Sequence, residues 1–196
     1  MIICDKWREN DIKIPISEQT RKEYNLSDTV TYFSWHLEPN VGKKQLWTGT
    51  AMLVNIIETN NWERPVHFTL YGSNNLEGIK NNLQIVGNTA RLVPLKVYGT
   101  KLEYDTIKFE SIMFNPKNYK DYSDIKNNDQ PRVSYAFGQI SRRRIFDYAV
   151  YFYRNDEKVK AKKILEKMKE LMPPEIHPLS SDIENGIDYL QKEFEK

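Results

Sequence analysis

The segment that indicates the fold class most clearly is DTVTYFSWHL, residues 28–37, in which β-branched and aromatic side chains dominate. Such residues fit the pleated, half-buried surface of a sheet, so we predict a strand that ends at the turn residues Pro39 and Asn40. The next segment, 44–59, carries apolar residues at three- and four-residue spacing and predicts a buried helix. A strand is therefore followed by a helix.

The same alternation continues along the next part of the chain. Residues 64–71 predict a strand, 75–86 predict a helix that ends at Gly87, and 90–97 predict another strand. A further short helix is predicted at 105–114. This order predicts an α/β fold: a small two-layer or three-layer sheet with packed helices, its parallel strands joined by crossover helices.

The C-terminal part of the sequence has a different pattern. Residues 115–131 are polar and predict a linker or long loop, whereas the apolar stripes after them predict three helices. The order helix, short turn, helix and then Pro173 resembles one tetratricopeptide unit, which cannot bury its apolar face alone. We therefore predict a helical hairpin subdomain that packs against the sheet or a partner. The predicted helices cover 132–154, 156–171 and 180–194, and the predicted domains are an α/β domain at 1–114, a linker at 115–131 and a helical subdomain at 132–196.

The composition is that of a folded globular protein. Of the 196 residues, 39% are hydrophobic and 29% are charged, which excludes a disordered or collagen-like chain. The net charge is only +2, so we expect no nucleic-acid partner. We expect one or two of Arg142, Arg143 and Arg144 to pair with carboxylates of the next helix. The single cysteine, Cys4, excludes an internal disulfide and a four-cysteine zinc site.

The sequence has no feature of a membrane-inserted protein. No apolar run reaches the roughly 18 residues that a membrane span requires. The first residues lack the basic and apolar regions of a signal peptide. We therefore expect a soluble polypeptide that does not itself insert into a membrane.

Motifs for catalysis or metal binding are scarce in this sequence. The three histidines have no local ligand spacing, although His36 and His67 could converge with Glu38 from neighbouring strands. The eight glycines form neither a P-loop nor a dinucleotide-binding turn, and no serine lies in a nucleophile elbow. We therefore predict no catalytic residues, no metal and no cofactor. The 27 acidic residues leave a glycosidase-type carboxylate pair open.

The most distinctive local sequence is NNWERPVHF at 60–68, which runs from a turn into a strand. A structural interpretation places Trp62 over the core where helix gives way to strand, and lets Arg64 or Arg91 bind carbonyls or carboxylates. A functional interpretation predicts a cleft beyond the sheet edge, lined by flat polar and aromatic groups that suit a carbohydrate. The predicted ligand-binding residues are Trp62, Asn74, Asn75, Gln84 and Arg91.

Two motif blocks carry a resemblance to a known family. They are Asn-Asn-Trp-x-Arg-Pro at 60–65, and Leu-Gln-x-x-Gly followed by Arg-Leu-Val-Pro within 83–94. Together with the tetratricopeptide-like tail, they resemble the soluble C-terminal region of Bacteroidetes membrane proteins, an uncharacterised family related to protein O-mannosyltransferases. The resemblance covers roughly residues 28–172 and does not include the family's multispanning part. It implies a periplasmic or other extracytoplasmic location, with the cytoplasm as the alternative, and an accessory role.

We expect a non-catalytic accessory domain of a membrane glycosyltransferase-like protein. The expected partner is a protein or a glycan, and could be a membrane-embedded region of the same polypeptide. Two alternatives remain open. One is a soluble carbohydrate-active enzyme, which needs two carboxyl groups about 5–9.5 Å apart. The other is a purely structural adaptor whose helical tail docks a partner peptide or a second copy of the chain.

Overall fold

The computed structural model divides into two compact units, Met1–Asp105 and Thr106–Lys196, which we call unit 1 and unit 2. Within the residues described, no helix is both long enough and apolar enough to cross a lipid bilayer. The structure describes residues 10–37, 48–69, 78–119, 131–174 and 178–195.

Unit 1 begins with an antiparallel ribbon of two strands, β1 (Asn10–Pro15) and β2 (Tyr32–Leu37), with the short helix α1 (Glu18–Glu23) between them. Side chains alternate along both strands, so one face of the ribbon is buried and the other is exposed. Ser17 caps α1, because its hydroxyl accepts a hydrogen bond from the backbone N–H of Thr20 at 3.1 Å. The ribbon therefore contributes one apolar surface to the unit.

A helix and a second sheet complete unit 1. Helix α2 (Thr48–Asn60) precedes the strands β3 (His67–Thr69), β4 (Leu83–Val86) and β5 (Thr89–Leu92). The strand order is β3-β5-β4, and both pairs are antiparallel. The turn between β4 and β5 begins at Gly87 with φ of 59°, which a two-residue hairpin turn with a leading glycine requires. The sheet is therefore a tight hairpin with one short strand added.

Both sheets of unit 1 bury side chains in one apolar core. Trp35 is among its largest fully buried side chains. Gly78, at φ of 84°, packs so close to this core that an added Cβ would meet the carbonyl oxygen of His36 and lie 2.8 Å from the Trp35 indole. The backbone can approach there only because the residue is glycine. The buried members of the core are Ile12, Ile14, Ile16, Phe33, Trp35, Leu37, Val54, Ile57, Ile79, Leu83, Ala90 and Leu92.

The predicted α/β class is confirmed, but the predicted parallel strand arrangement is wrong. Every described strand pair is antiparallel, and a short turn rather than a helical crossover joins β4 to β5. The predicted helix at 75–86 is also wrong in its described part, because 80–82 form one 3-10 turn and 83–86 form β4. A short apolar run fits either periodicity, and pairing with β5 decides in favour of the strand.

Other predictions for unit 1 differ from the structure mainly at the ends of elements. Strand β1 was not predicted at all, and the strand predicted at 28–37 begins at Tyr32. The predicted helix at 44–59 is α2, with 44–47 outside the described residues. The strand predicted at 90–97 ends at Leu92, because Pro94 lacks the N–H that would continue the ladder. The strand predicted at 64–71 is β3, of which residues 70–71 lie outside the described part.

Unit 2 is helical, as predicted for the C-terminal region. A three-residue turn containing Asp156, with φ of 62°, joins its second and third helices, which pack together and therefore run antiparallel. Of the predicted linker at 115–131, residues 116–119 form a 3-10 turn and 120–130 lie outside the described residues. The helices are α3 (Thr106–Met113), α4 (Pro131–Arg154), α5 (Lys158–Leu171) and α6 (Ser181–Phe194).

A buried arginine ties the helices of unit 2 together. The side chain of Arg142 in α4 is 1% exposed. Its guanidinium donates to the carbonyl oxygens of Met172 at 2.9 Å and Pro178 at 3.0 Å. Both carbonyls belong to the connection from α5 to α6, so Arg142 fixes that connection against α4.

The two arginines that follow form ion pairs near the surface. Arg143 contacts Asp147 at 3.0 Å and Asp182 at 2.6 Å, and Arg144 contacts Asp147 at 3.5 Å. The predicted partner helix is therefore wrong. Asp147 lies one turn along α4 itself, and it reaches the arginines because residues three or four apart share one face of a helix. Asp182 lies in α6.

Candidate functional site

Unit 1 presents one polar sheet surface, formed by the side chains of β3, β4 and β5 that point away from the core. Residues directly opposite each other on paired strands share a face. His67 is opposite Arg91, and Arg91 is opposite Gln84, so these three side chains form a row across all three strands. Thr69 and Thr89 form the next row, which the buried Val86 completes on β4. We call the five polar residues of these two rows the polar face.

The centre of the polar face is Arg91. Its Nη2 donates to the side-chain oxygen of Gln84 at 2.6 Å and lies 3.4 Å from a carboxylate oxygen of Asp105. The side chains of Arg91 and Asp105 are 13% and 18% exposed, so the pair is shielded from water but still reaches the surface. A partly desolvated arginine that holds an amide and a carboxylate is a rigid group for recognising hydroxyl or carboxylate oxygens.

The chain segment after β5 returns to place Asp105 beside Arg91. Tyr104 forms a parallel bridge with Ile85 in β4. The backbone N–H of Ile85 donates to the backbone carbonyl oxygen of Glu103 at 2.8 Å, and the backbone N–H of Asp105 donates to the carbonyl oxygen of Ile85 at 3.0 Å. Gln84 adds a third tie, because its Nε2 donates to the carbonyl oxygen of Leu102 at 2.9 Å. The polar face is thus extended by one strand-like segment.

An aromatic ring lies beside the guanidinium of Arg91. The ring centroid of Tyr24, the last residue of the α1 region, is 5.9 Å from the Arg91 Cζ atom, within the range of a cation–π contact. Burial raises the pKa of Tyr24 above its usual value of 10.0, although the positive charge of Arg91 acts in the opposite direction. Tyr24 therefore stays a neutral phenol at physiological pH.

The hydrogen-bonding capacity of Arg91 is not fully used. Its Nε is buried and has no hydrogen-bond partner among the described residues. Leaving a buried donor unpaired costs about 1–3 kcal/mol. Nε of Arg21 and Nε of Arg144 are buried and unpaired in the same way, so this feature by itself does not mark Arg91 as a recognition residue.

His67 contacts a threonine in the next row of the polar face. Its Nδ1 lies 2.9 Å from the hydroxyl oxygen of Thr89, which also lies 3.0 Å from the carbonyl oxygen of Val86. The two rows are therefore connected by hydrogen bonding between side chains.

Of the five residues predicted to bind ligand, the structure brings Gln84 and Arg91 together on the polar face. Asn74 and Asn75 lie outside the described residues. Trp62 packs edge-on against Phe33 in the core, with ring centroids 5.5 Å apart. This is the position over the core that the structural interpretation predicted for Trp62. Its role in ligand binding stays a prediction.

Sequence analysis did not select Tyr24, Thr69, Thr89 or Asp105, and it considered His67 only as a metal ligand. The hairpin signal Gly87-Asn88 could have paired Gln84 with Arg91 and so revealed the row. No local sequence pattern predicts that Tyr24 or Asp105 lies at this site, because their positions depend on contacts between segments far apart in the sequence.

The two histidines considered as metal ligands lie in different sheets. His36 is on β2, where its Nδ1 is 2.9 Å from a carboxylate oxygen of Asp11, whereas His67 is on β3. Glu38 lies outside the described residues. In the ranges that the structure describes, no group of three metal-ligating side chains is assembled. The arrangement on the polar face is suited to binding through hydrogen bonds.

Comparison with known proteins places this chain in a family. The family model described as TMEM260-associated domain 2 matches residues 9–111, from the segment before β1 into α3. No curated protein and no solved structure gives a significant match to the chain. The matched region includes every residue of the polar face and covers more than half of the 196 residues. The chain therefore belongs to the TMEM260-associated domain 2 family.

Proposed function

We propose that this chain is a non-catalytic, extracytoplasmic accessory domain of a membrane glycosyltransferase-like protein, and that its polar face recognises a glycan or protein partner. The observation that carries the proposal is the row His67, Arg91 and Gln84 on the outer side of the sheet, with Asp105 beside it. The family match and the resemblance to proteins related to O-mannosyltransferases support a role near glycosyl transfer.

The chemistry of the polar face suits a glycan. Sugar hydroxyls need donors and acceptors in a fixed pattern, which Arg91, Gln84 and Asp105 supply together. The phenol ring of Tyr24 adds an apolar surface with a polar edge, the combination that contacts the faces and hydroxyls of a sugar ring. A peptide carboxylate would satisfy the same guanidinium, so a protein partner remains within the proposal.

Calorimetric titration of the full chain with two matched peptides tests this function. One peptide carries an O-mannosylated threonine and the other carries the same threonine unmodified. We expect at least one to bind, with the mannosylated form about tenfold tighter if the partner is a glycan, which corresponds to about 1.4 kcal/mol. Equal affinity for both peptides would identify a protein partner.

Two variants locate the binding on the polar face. Arg91→Lys keeps the charge but loses the planar fork, and we expect it to weaken binding about tenfold. Arg64→Lys is the matched control, because Arg64 is exposed and lies outside the polar face. Absence of binding to both peptides, or turnover of a sugar substrate by the intact chain, would contradict the proposal.

A further inference from the structure

The two-stranded ribbon of unit 1 has an edge that the proposed function does not use. Strand β1 pairs with β2 on one side, and among the described residues no strand pairs with its other side. An edge of this kind offers unpaired backbone N–H and C=O groups to another extended segment. A sheet of only two strands also gains stability when further strands are added.

The register of the ribbon shows which backbone groups point outward. One step beyond the paired residues, the N–H of Ile16 donates to the carbonyl oxygen of Thr31 at 2.9 Å. Hydrogen-bonded and non-hydrogen-bonded pairs alternate along an antiparallel ladder, so the even-numbered residues of β1 bond to β2. Asp11 and Lys13 therefore direct their N–H and C=O groups away from β2. We call these outward backbone groups of Asp11 and Lys13 the open edge.

Contacts on both sides of β2 agree with this register. Asp11 is opposite His36, and a carboxylate oxygen of Asp11 lies 2.9 Å from Nδ1 of His36. Such close side chains are typical of a non-hydrogen-bonded pair. The carbonyl of His36 then points away from β1, and this is the carbonyl that an added Cβ on Gly78 would meet. The chain of unit 1 thus approaches the outer side of β2, which makes the edge of β1 the one available to a partner.

The exposed side chains along the open edge have opposite charges. Asp11 and Lys13 are both exposed and, being two residues apart on a strand, lie on the same face. In an antiparallel pair of two identical β1 strands centred on Ile12, Asp11 of each copy is opposite Lys13 of the other. Opposite charges directly across a ladder are favourable, and like charges are unfavourable. The strand is therefore complementary in charge to itself.

The same charges select one register among the possible ones. Shifting the centre by one residue in either direction places Asp11 opposite Asp11, or Lys13 opposite Lys13, which is unfavourable. A lysine or a proline on an edge normally discourages pairing with another chain. In the register centred on Ile12, Lys13 gains a carboxylate, and Pro15 lies beyond the paired positions where its missing N–H is not needed.

We propose that the open edge of β1 pairs with β1 of a second copy of this chain, antiparallel and about a two-fold axis at Ile12. The N–H of Asp11 donates to the carbonyl oxygen of Lys13 in the second copy, and the N–H of Lys13 donates to that of Asp11. The two ribbons then form one four-stranded sheet with an isologous interface. This interface uses no residue of the polar face, so its test is independent of the proposed function.

Sedimentation velocity of the full chain over a concentration range of about 5–500 μM tests this interface. We expect a species of twice the monomer mass at the upper end of the range. Lys13→Asp and Asp11→Lys each place like charges at both pairs, and we expect each to weaken self-association about tenfold or more. Lys96→Asp is the matched control, because Lys96 is an exposed residue of unit 1 outside the ribbon, and it should leave self-association unchanged.

Mixing the two charge-reversed chains separates the interface from a loss of fold. Asp11→Lys has two lysines at the open edge and Lys13→Asp has two aspartates, so both pairs of a mixed dimer again have opposite charges. We expect the mixture to associate within about threefold of the unmodified chain. A variant that had only lost its structure would not be rescued by mixing.

Amide hydrogen exchange identifies the strand pairing itself. In the dilute chain the amides of Asp11 and Lys13 should exchange fast, because they face water. At concentrations where the dimer dominates we expect their exchange to slow about tenfold or more. The amides of Ile12 and Ile14, which bond to β2, are the internal control and should be protected at both concentrations.

Three results would overturn this assignment. The first is a chain that stays monomeric up to about 500 μM, because the edge would then not bind a second copy. The second is self-association that is equally strong in both charge-reversed variants, since another surface would then be responsible. The third is slow exchange of the Asp11 and Lys13 amides in the dilute chain, because the edge would then be covered within a single copy.

Discussion

Each unit contains a largely buried arginine, and the two arginines are held in different ways. Arg142 in unit 2 donates to two backbone carbonyl oxygens of a packed connection. Arg91 in unit 1 donates to side-chain oxygens of Gln84 and Asp105 and still reaches the surface. Backbone carbonyls of a packed connection cannot turn away, whereas the partners of Arg91 are side chains that are only partly buried. Arg142 therefore stabilises a fold, and Arg91 can redirect part of its bonding to a ligand.

This difference separates a structural polar group from the one that we propose to recognise a partner. Replacement of Arg142 leaves the buried carbonyl oxygen of Met172 without its charged donor, whereas the carbonyl oxygen of Pro178 still accepts from Nε2 of Gln139. Replacement of Arg91 removes its partly buried bonds to Gln84 and Asp105 and also removes the unpaired Nε. The first change should act mainly on stability and the second mainly on binding.

The largest effect is expected from Arg142→Met. Loss of one buried and one partly buried charge-assisted hydrogen bond, together with the packing of a fully buried side chain, should lower the free energy of unfolding by about 3 kcal/mol. Urea denaturation followed by circular dichroism measures this change. Arg143→Met is the control, because its ion pairs are half exposed and should contribute at most about 1 kcal/mol. Equal losses for the two variants would remove the structural role assigned to Arg142.

Gly78→Ala should have the next largest effect. The added Cβ would meet the carbonyl oxygen of His36 and the indole of Trp35, at a φ that other residues rarely adopt. We expect a loss of about 2–3 kcal/mol in urea denaturation. In the control, Gly49→Ala, the new Cβ has open space on a helix, so stability should stay equal or rise by a few tenths of a kcal/mol. A tolerated alanine at position 78 would contradict the packing around Trp35.

Arg91→Met should change stability much less than Arg142→Met. Its two bonds lie near the surface and one buried donor is unpaired, so we expect a loss of about 1 kcal/mol. Binding to the polar face should nevertheless be lost in calorimetric titration. A loss as large as that of Arg142→Met, with binding retained, would reverse the roles of the two arginines.

The smallest effect concerns the ionisation of Tyr24. Its folded-state pKa is raised by burial, so the folded chain holds the phenol proton longer than the unfolded chain does. Stability should therefore fall as the pH rises from 10 through the folded-state pKa. Arg91→Met should raise this pKa further, because Arg91 favours the phenolate. NMR titration of ¹³Cζ-labelled tyrosine measures the shift, and a lowered pKa in the variant would contradict the contact.

The helical unit could be predicted from the sequence more closely than the sheet unit. Ile183, Ile187 and Leu190 repeat at helical spacing, and this local pattern alone locates α6. Strand β1, in contrast, is stabilised by β2, whose partner residues are some 17–27 positions away, as in the pair Asn10 and Leu37. Such pairing leaves only a weak local signal, and therefore β1 was not predicted.

The candidate site shows the same limit. Gln84 and Arg91 were predicted from their residue types near the ends of elements, and a seven-residue separation through a hairpin brings them together. Tyr24 and Asp105 join them only through contacts between distant segments. Trp62 was predicted in two ways, as a ligand-binding residue and as a core residue. The packing of Trp62 against Phe33 agrees with the core position.

The central claim is that the polar face recognises a partner, and amide chemical-shift mapping tests it most directly. The ¹⁵N-labelled full chain is titrated with the O-mannosylated peptide and with its unmodified form. We expect the largest shifts at residues 67–69, 84 and 89–91, and none on α6. Shifts confined to other parts of the chain, or no shifts with either peptide, would contradict the claim.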